Sequence, residues 1–239
     1  VPKPRHDMKV SEALKKTGKW TGYFLNLTKT KRLIIESAVI SPLFGSEELV
    51  VGYIKIAENA TARLKHEEWL NMFNIAHQLS ATVKADFAAL MPEINQVMAM
   101  DNQLMVPQHI IFLPLKNLIL DTLTATTSHP ELTRRILADP MDPDLVLPDD
   151  IIHGNINLSQ IVKLGQNEPC IFDQQHFFKE YFSHVAGEII FAEVRSERTC
   201  YGIIAMLHVY DVSYYDSTDT DNLNSLGKIL GMALGEIEI

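Results

Sequence analysis

The chain has 239 residues, of which 46% are hydrophobic and 21% charged, a composition typical of a soluble globular protein with room for one large or two small domains. Its formal net charge of −9 argues against nucleic acid as a partner, because phosphate binding needs a clustered basic surface. No apolar run approaches the roughly 20 residues that span a bilayer, and no apolar stretch follows the first basic residues, so we expect a cytoplasmic chain without a membrane segment. The two cysteines, Cys170 and Cys200, are then expected to be reduced thiols.

The first sixty residues predict one short helix and three strands. Residues 8–16 form an amphipathic pattern that Gly18 ends. Three segments rich in β-branched and aromatic residues follow, and short polar turns separate them. Three such strands in sequence predict an antiparallel meander. Their expected ranges are 19–27, 33–43 and 49–57.

The stretch VVGYIKIAENATARLKHEEW, residues 50–69, changes its period halfway. A strand pattern passes into a helix pattern near Thr61 with no Gly or Pro between them, so we expect the strand to run directly into a helix that continues to about Met100. Apolar or small residues along this helix are spaced alternately by four and three. That spacing favours either a parallel coiled coil with a second copy or a stripe that packs on the chain's own core. The positions are Trp69, Phe73, Ala76, Ser80, Val83, Phe87, Leu90, Ile94 and Val97.

The rest of the chain mixes strands and helices in an order that indicates an α+β or α/β sandwich, of which we adopt α+β. An acidic, Pro-rich segment at 139–150 lacks the ligand spacing of a calcium loop, so we predict no metal site there. Strands are expected at 109–115, 117–126, 169–172, 188–194 and 201–209, and helices at 131–138, 157–164 and 220–237.

The segments GKWTGYFLN, ESAVISPLF and VVGYIKIAENATARLKHEE resemble the C-terminal half of a PAS domain, in which a Gly-x-Trp-x-Gly strand and two further strands lead into a signalling helix. The resemblance implies a signal junction at Asn59, Thr61 and Arg63. Asn59-Ala60-Thr61 stands where the family usually has Asp-Ile-Thr, which removes a charge from this junction. The family's first two strands are missing, so we expect another chain or the following domain to cover the half-sheet.

Residues 67–239 resemble a GAF domain. Its entry helices are similar to EEWLNMFNIAHQLSATVKADFAALMPEI, its central hairpin to EIIFAEVRSERTCYGIIAMLHV and its closing helix to STDTDNLNSLGKILGMALGEIE. The two resemblances together imply a PAS half at 1–60, linker helices at 61–100 and a GAF domain at 101–239 with entry helices from about 67. The resemblance also places a small-ligand pocket, with a mixture of aromatic and polar side chains, at Phe172, Asp173, His176, Phe177, Tyr181 and His184.

No cofactor is specified by the sequence, although His176 or His184 offers an axial ligand for haem. No nucleophile lies beside a recognisable base, and no glycine-rich loop is arranged to hold a phosphate, so no catalytic residue is predicted. We therefore expect a non-catalytic sensory segment of a signalling protein that works as a parallel homodimer with an unknown small-molecule ligand. By resemblance, its output domain is a diguanylate cyclase or a histidine kinase.

Two alternatives remain open from the sequence. The first is a degenerate histidine kinase with His77 as the phosphoacceptor, although Gln78 follows His77 where such kinases have an acidic residue. The piece LGKILGMALG is only weakly similar to a kinase glycine box. The second alternative is a dimerisation module that binds no ligand.

Overall fold

The computed structural model describes seven parts of the chain, residues 10–82, 108–116, 119–120, 126–127, 161–164, 187–208 and 210–235. The chain divides into two compact units, Val1–Glu68 and Trp69–Ile239. Each unit has its own antiparallel sheet with helices, so the described elements have the expected α+β architecture. No helix in these parts of the chain is long and apolar enough to cross a membrane.

The first unit contains one helix and the predicted three-stranded meander. The strand order is β1-β2-β3, and both neighbouring pairs are antiparallel. Each strand begins and ends within about two residues of its predicted limits because the β-branched runs are bounded by polar turns. The elements are α1 (Val10–Thr17), β1 (Trp20–Leu27), β2 (Leu33–Phe44) and β3 (Val50–Asn59).

Helix α1 packs on one face of this sheet. Its Ala13 is buried together with Trp20 of β1 and Ala38 of β2. The Trp20 and Phe24 rings lie 4.7 Å apart and extend this contact along β1. Gly18 ends the helix as predicted, because its φ of 69° is costly for residues that carry a Cβ.

Strand β3 is an edge strand within the described residues, and nearly all of it is exposed. Val51 is 71% exposed and Ile56 is 67% exposed. The central strand β2 differs, since its Leu33 and Ile35 are almost completely buried. The sequence pattern that predicted a strand at β3 therefore did not imply burial of its apolar side chains.

Helix α2 spans Thr61–Thr82 and follows β3 with Ala60 alone between them. The predicted direct passage from strand to helix is therefore present in the structure. Of the predicted apolar stripe, Trp69 and Ala76 are buried and Phe73 is half-buried. The stripe positions from Val83 onward lie outside the described residues.

The second unit has a sheet in the order β5-β4-β9-β8-β7, with β6 also paired to β4. Strands β8 and β9 form a hairpin, and Ser196 N donates a hydrogen bond of 2.9 Å to the Thr199 carbonyl oxygen in its turn. The elements are β4 (His109–Lys116), β5 (Ile119–Leu120), β6 (Thr126–Thr127), β7 (Ile161–Leu164), β8 (Gly187–Arg195), β9 (Cys200–His208) and α3 (Ser217–Gly235).

Two sequence predictions for this unit differ from the structure in part. The helix predicted over 157–164 is wrong at Ile161–Leu164, which form β7 and pair with β8. β-Branched Ile161 and Val162 lie opposite Ile190 and Ile189, and this pairing overrides the helix pattern. The strand predicted over 117–126 is represented by β5 and the beginning of β6, both antiparallel to β4. The predicted helix at 131–138 and strand at 169–172 lie outside the described residues.

Helix α3 packs against β8 through an apolar stripe and two glycines. The stripe consists of Leu223, Leu226, Leu230 and Leu234, all buried. A Cβ at Gly227 would overlap with the Glu193 carbonyl oxygen, and one at Gly231 would overlap with the Arg195 backbone. Gly227 and Gly231 therefore allow α3 to approach the backbone of β8 closely.

Candidate functional site

The six residues predicted to line a ligand pocket, and with them the two candidate haem ligands, lie outside the described residues. Their assignment stays a prediction. The predicted signal junction, in contrast, is described in full, and so is a buried polar cluster in the second unit that the sequence did not indicate.

The junction between β3 and α2 is tied to the central strand of the first sheet. Ile35 N donates a hydrogen bond of 2.8 Å to Thr61 Oγ1, and Ala60 N donates one of 2.8 Å to the Ile35 carbonyl oxygen. Both polar groups of the Ile35 backbone are therefore used to hold the start of α2. A displacement of β2 at this point would break hydrogen bonds at the first residue of the helix.

Asn59 caps the same helix. Its Oδ1 accepts hydrogen bonds from Thr61 N at 3.0 Å and from Thr61 Oγ1 at 2.7 Å. A side-chain oxygen that accepts from the second following backbone N–H is an arrangement that Asn and Asp share. The junction is therefore held by hydrogen bonds to a neutral side chain.

Arg63, the third predicted junction residue, makes its described hydrogen bonds to residues other than Asn59. Its Nη1 donates to Glu67 Oε1 at 3.1 Å, one turn further along α2. A side-chain hydrogen bond with Tyr23, followed by the one with Glu67, raises the pKa of Arg63. The side chains of Arg63 and Glu67 are both about half exposed, so this pair is a surface contact.

The polar cluster in the second unit is centred on the carboxylate of Glu188 in β8. Its Oε2 accepts hydrogen bonds from Tyr214 N at 2.7 Å and Tyr215 N at 3.0 Å. The same oxygen lies 3.4 Å from Nε2 of His208 in β9. Glu188 is 3% exposed and His208 is completely buried. We call these residues, together with Tyr210, the Glu188 cluster.

Hydrogen bonding decides the charge of Glu188. Burial alone would raise its pKa, but hydrogen bonds from His208, the Tyr214 and Tyr215 amides and Ser213 outweigh burial and leave the pKa below its ordinary value. Glu188 is therefore an ionised carboxylate at neutral pH. Tyr210 N donates to His208 Nδ1 at 3.4 Å, which assigns the imidazole hydrogen to Nε2, facing Glu188.

Aromatic rings enclose the His208 imidazole on several sides. The ring centroids of Tyr210, Tyr214 and Tyr215 lie 6.3, 5.9 and 5.3 Å from its own. The Tyr215 hydroxyl also donates a hydrogen bond of 3.0 Å to Gln108 Oε1, just before β4. This arrangement fixes the segment between β9 and α3 against the sheet. Glu188 and His208 are inaccessible to solvent, and their hydrogen bonds join β8 and β9 to the residues just before α3.

The sequence analysis does not indicate the Glu188 cluster, because Glu188 and His208 lie in predicted strands and the three tyrosines lie between the last predicted strand and the last predicted helix. Glu188 and His208 stand at opposite ends of the apolar runs EIIFAEV and IIAMLHV and pair directly with one another across the hairpin. A charged residue at the end of a buried strand was the available signal. The partners of Glu188 include the backbone amides of Tyr214 and Tyr215, and a pattern of side chains does not indicate where backbone amides will donate.

The remaining sequence candidates fall into ordinary environments. His77 is exposed on α2. Cys200 is a half-buried free thiol whose pKa is raised, chiefly by burial, so it is a poor nucleophile. No group of three or more potential metal ligands occurs among the residues that the structure describes.

A scan against protein-family models gives no match, and a search of curated proteins gives none. Among solved structures, the GAF domain of A. aeolicus nlh2 in an inactive state is 14% identical, with a TM-score of 0.39, covering 72% of this chain and 98% of its own. Free methionine-R-sulfoxide reductase from Neisseria meningitidis is 14% identical, with a TM-score of 0.42 and coverages of 72% and 92%.

A third structure is the chromophore-binding domain of Stigmatella aurantiaca bacteriophytochrome, with 12% identity and a TM-score of 0.40. The match covers 86% of this chain and 74% of that domain. The three structures are a GAF domain, a reductase and a chromophore-binding domain. At such TM-scores the likeness does not establish the fold or the activity of this chain.

Proposed function

We propose that this chain is a non-catalytic sensory segment of a multidomain signalling protein. In this proposal a PAS half at 1–60 joins a GAF domain at 101–239 through linker helices at 61–100. A small molecule or partner protein bound by the GAF domain shifts the population of two helix packings, and an output domain responds. Phe172, Asp173, His176, Phe177, Tyr181 and His184 would line the ligand pocket.

The junction of β3 and α2 is the observation that carries this proposal. A helix that only connects two domains has no need of hydrogen bonds from its first residue to the middle strand of a sheet. Here Thr61 accepts from the backbone of Ile35 and donates to Asn59, so hydrogen bonds join the start of the helix to the central strand of the sheet. Such a connection suits the transfer of a conformational change along α2.

The parallel homodimer also remains part of the proposal, with a restriction on where it forms. Trp69 and Ala76 are buried within a single chain, so the first part of the apolar stripe is already covered. The exposed positions of α2 are mainly polar, with Leu70, at 47% exposed, the one large apolar side chain exposed in the described part of the helix. Self-association would therefore use the stripe from Val83 to Val97.

One observation favours the kinase alternative. His77 is exposed on a helix, which a phosphoacceptor requires. This alternative predicts ATP binding and an acid-labile phosphate that is lost in His77→Ala. If neither is detected with radiolabelled ATP and the full chain, the kinase alternative is excluded.

The sensory proposal is tested first by native mass spectrometry of freshly purified protein, with an absorbance scan of the same sample. Extra mass, or a haem or flavin band, would identify the bound chemistry, and His176→Ala and His184→Ala would then test the pocket. A protein that stays free of added mass in the presence of a metabolite extract, and monomeric at tens of micromolar, would contradict the proposal.

The junction is tested by Thr61→Val, which keeps the shape of the side chain and removes its oxygen. Ile35 N then loses its acceptor, so we expect a loss of about 1–3 kcal/mol in the stability of the first unit. Hydrogen exchange at the Ile35 amide should rise accordingly. Thr21→Val on the exposed face of β1 is the matched control and should leave that amide unchanged. Unchanged exchange in Thr61→Val would remove the main support for the proposal.

A further inference from the structure

A buried hydrogen bond joins α2 to α3 in the second unit. Trp69 Nε1 donates to Asp219 Oδ1 at 2.9 Å, between residues 150 positions apart in the chain. Trp69 is 4% exposed and Asp219 is 3% exposed. A hydrogen bond to a buried carboxylate is stronger than one between neutral groups, and it resists exchange with water.

The second oxygen of Asp219 closes the start of α3. Asp216 N donates to Asp219 Oδ2 at 2.9 Å, while Thr218 N donates to Asp216 Oδ1 at 3.0 Å. This pattern is a variant of the capping box with aspartate at both positions, in which the Asp216 side chain accepts from the second helical residue and not from the third, and we call it the capping box. The negative charge of Asp219 in the first turn also interacts favourably with the helix dipole.

Both carboxylate oxygens of Asp219 therefore accept hydrogen bonds. Oδ1 accepts from Trp69 of α2, and Oδ2 accepts from Asp216 at the start of α3. If Trp69 moves away, Asp219 Oδ1 loses the indole donor, and with it one of the hydrogen bonds that hold the side chain in this buried position. The Asp219 side chain is then less firmly held and can rotate. That rotation would open the capping box, so a change at α2 reaches the first turn of α3.

The segment before α3 extends this path to the sheet. Tyr214 N and Tyr215 N donate to Glu188 in β8, and Asp216 follows them directly in the chain. Opening the capping box therefore frees one end of a segment whose other end is fixed to the Glu188 cluster. The path from α2 to β8 consists of three sets of hydrogen bonds. Trp69 donates to Asp219, Asp216 donates to Asp219, and the amides of Tyr214 and Tyr215 donate to Glu188.

We infer that the Trp69–Asp219 hydrogen bond couples the position of α2 to the closure of the first turn of α3. The bond is the point at which a change in the second unit is passed to the helix that begins at the β3 junction. This inference rests on the proposed function for its biological meaning, because a coupling matters if α2 carries a signal. The coupling itself needs neither a ligand nor a dimer.

The test is a double-mutant cycle in the full chain with Trp69→Phe, Asp219→Ala and the combined variant. Hydrogen exchange is measured by mass spectrometry at residues 218–220 of α3 and at residues 69–76 of α2. Met72→Ala is the control, because Met72 is buried on the same helix and carries no hydrogen-bond donor. Urea denaturation of all variants supplies the free energies for the cycle.

We expect Trp69→Phe to raise exchange at residues 218–220 by about tenfold, although the substitution lies on another helix. Asp219→Ala should raise exchange at 69–76 by a similar factor. The combined variant should lose no more stability than the less stable of the two single variants. This departure from additivity corresponds to a coupling of about tenfold, or about 1.4 kcal/mol. Met72→Ala should raise exchange in α2 without a selective effect at 218–220.

Additive effects in the combined variant, or a uniform rise of exchange throughout the second unit in Trp69→Phe, would overturn the inference. Should Trp69→Phe fail to fold by circular dichroism, Asp219→Asn replaces it. Asparagine has one acceptor oxygen, so it serves either Trp69 or Asp216 and not both. Wild-type protection at both helices in Asp219→Asn would refute the coupling. If the wild-type chain binds no ligand and forms no dimer, that result counts against the proposed function and leaves the coupling between α2 and α3 unaffected.

Discussion

Strands β3 and β8 have similar sequences and opposite environments. VVGYIKIAEN and GEIIFAEVR are both short, rich in β-branched and aromatic residues, and end with charged or polar groups. β3 is an exposed edge strand, whereas β8 lies between β7 and β9 and is covered by α3. Local pattern therefore determines that a segment is a strand, and its place in the sheet determines what its side chains contribute to stability.

The largest expected difference concerns one substitution made in both strands. Ile189 of β8 is completely buried, and Ile189→Ala should cost about 2–5 kcal/mol because it leaves a cavity. Ile56 of β3 is 67% exposed, so Ile56→Ala should cost less than about 1 kcal/mol. Urea denaturation measures both. A cost of several kcal/mol for Ile56→Ala would mean that β3 is covered in solution, as expected for a half-sheet that needs another chain or domain.

Glycines provide the second comparison. Gly231→Ala places a Cβ against the Arg195 backbone, so α3 must move away from β8, at a cost of about 3 kcal/mol. Gly52→Ala in β3 meets no atom within 4 Å and should be neutral or slightly stabilising. Thermal unfolding followed by circular dichroism separates the two. Equal melting temperatures for the two variants would show that α3 does not approach β8 as closely as described.

The Glu188 cluster sharpens the comparison through pH. Because the folded-state pKa of Glu188 lies below its ordinary value of 4.5, its carboxylate contributes stability above that value and loses it as pH falls through the folded-state pKa. Glu188→Gln should cost about 1–2 kcal/mol at pH 7 and progressively less in acid.

Urea midpoints of the wild type and Glu188→Gln between pH 7 and 3 test this expectation, and the two curves should converge at the acid end. Glu58→Gln, at an exposed position of β3, is the control and should change stability by less than about 0.5 kcal/mol. A constant difference between wild type and Glu188→Gln at every pH would show that the charge of Glu188 has no part in stability.

The smallest effect is expected at the surface of β3. Lys55 Nζ lies 2.6 Å from Glu36 Oε2 and 4.6 Å from the centroid of the Phe24 ring. Exposed ion pairs contribute about 0.2–1 kcal/mol and weaken with salt. Lys55→Met should therefore lower stability by about 0.5 kcal/mol at low ionic strength and by less in 1 M salt, as measured by urea denaturation. A loss that does not depend on salt would assign the effect to packing on Phe24.

Local chemistry made much of the first unit predictable. Gly18 ends α1 because its conformation disfavours a Cβ, and the three strands follow from β-branched runs between polar turns. The direct passage from β3 to α2 followed from the missing Gly or Pro before Thr61. The predicted junction residues Asn59 and Thr61 are in contact with each other, while Arg63 instead pairs with Glu67.

Prediction was less complete in the second unit because its decisive contacts join distant residues. The residues of β7 were predicted as the end of a helix over 157–164, since a four-residue segment is too short for its periodicity to distinguish a strand from a helix. Gly227 and Gly231 were compared with a kinase glycine box, although their role is close packing on β8. The predicted pocket from Phe172 to His184 lies outside the described residues and stays a prediction.

The sequence by itself determined where the strands of the first meander, the start of α2 and the closing helix α3 lie, because these follow from propensity and local chain-breaking residues within a few residues. Only the tertiary structure decided that β8 is buried while β3 is exposed, that Glu188 meets the amides of Tyr214 and Tyr215, and that Trp69 meets Asp219. Such contacts depend on sheet order and on backbone donors, and a local sequence pattern indicates neither of them.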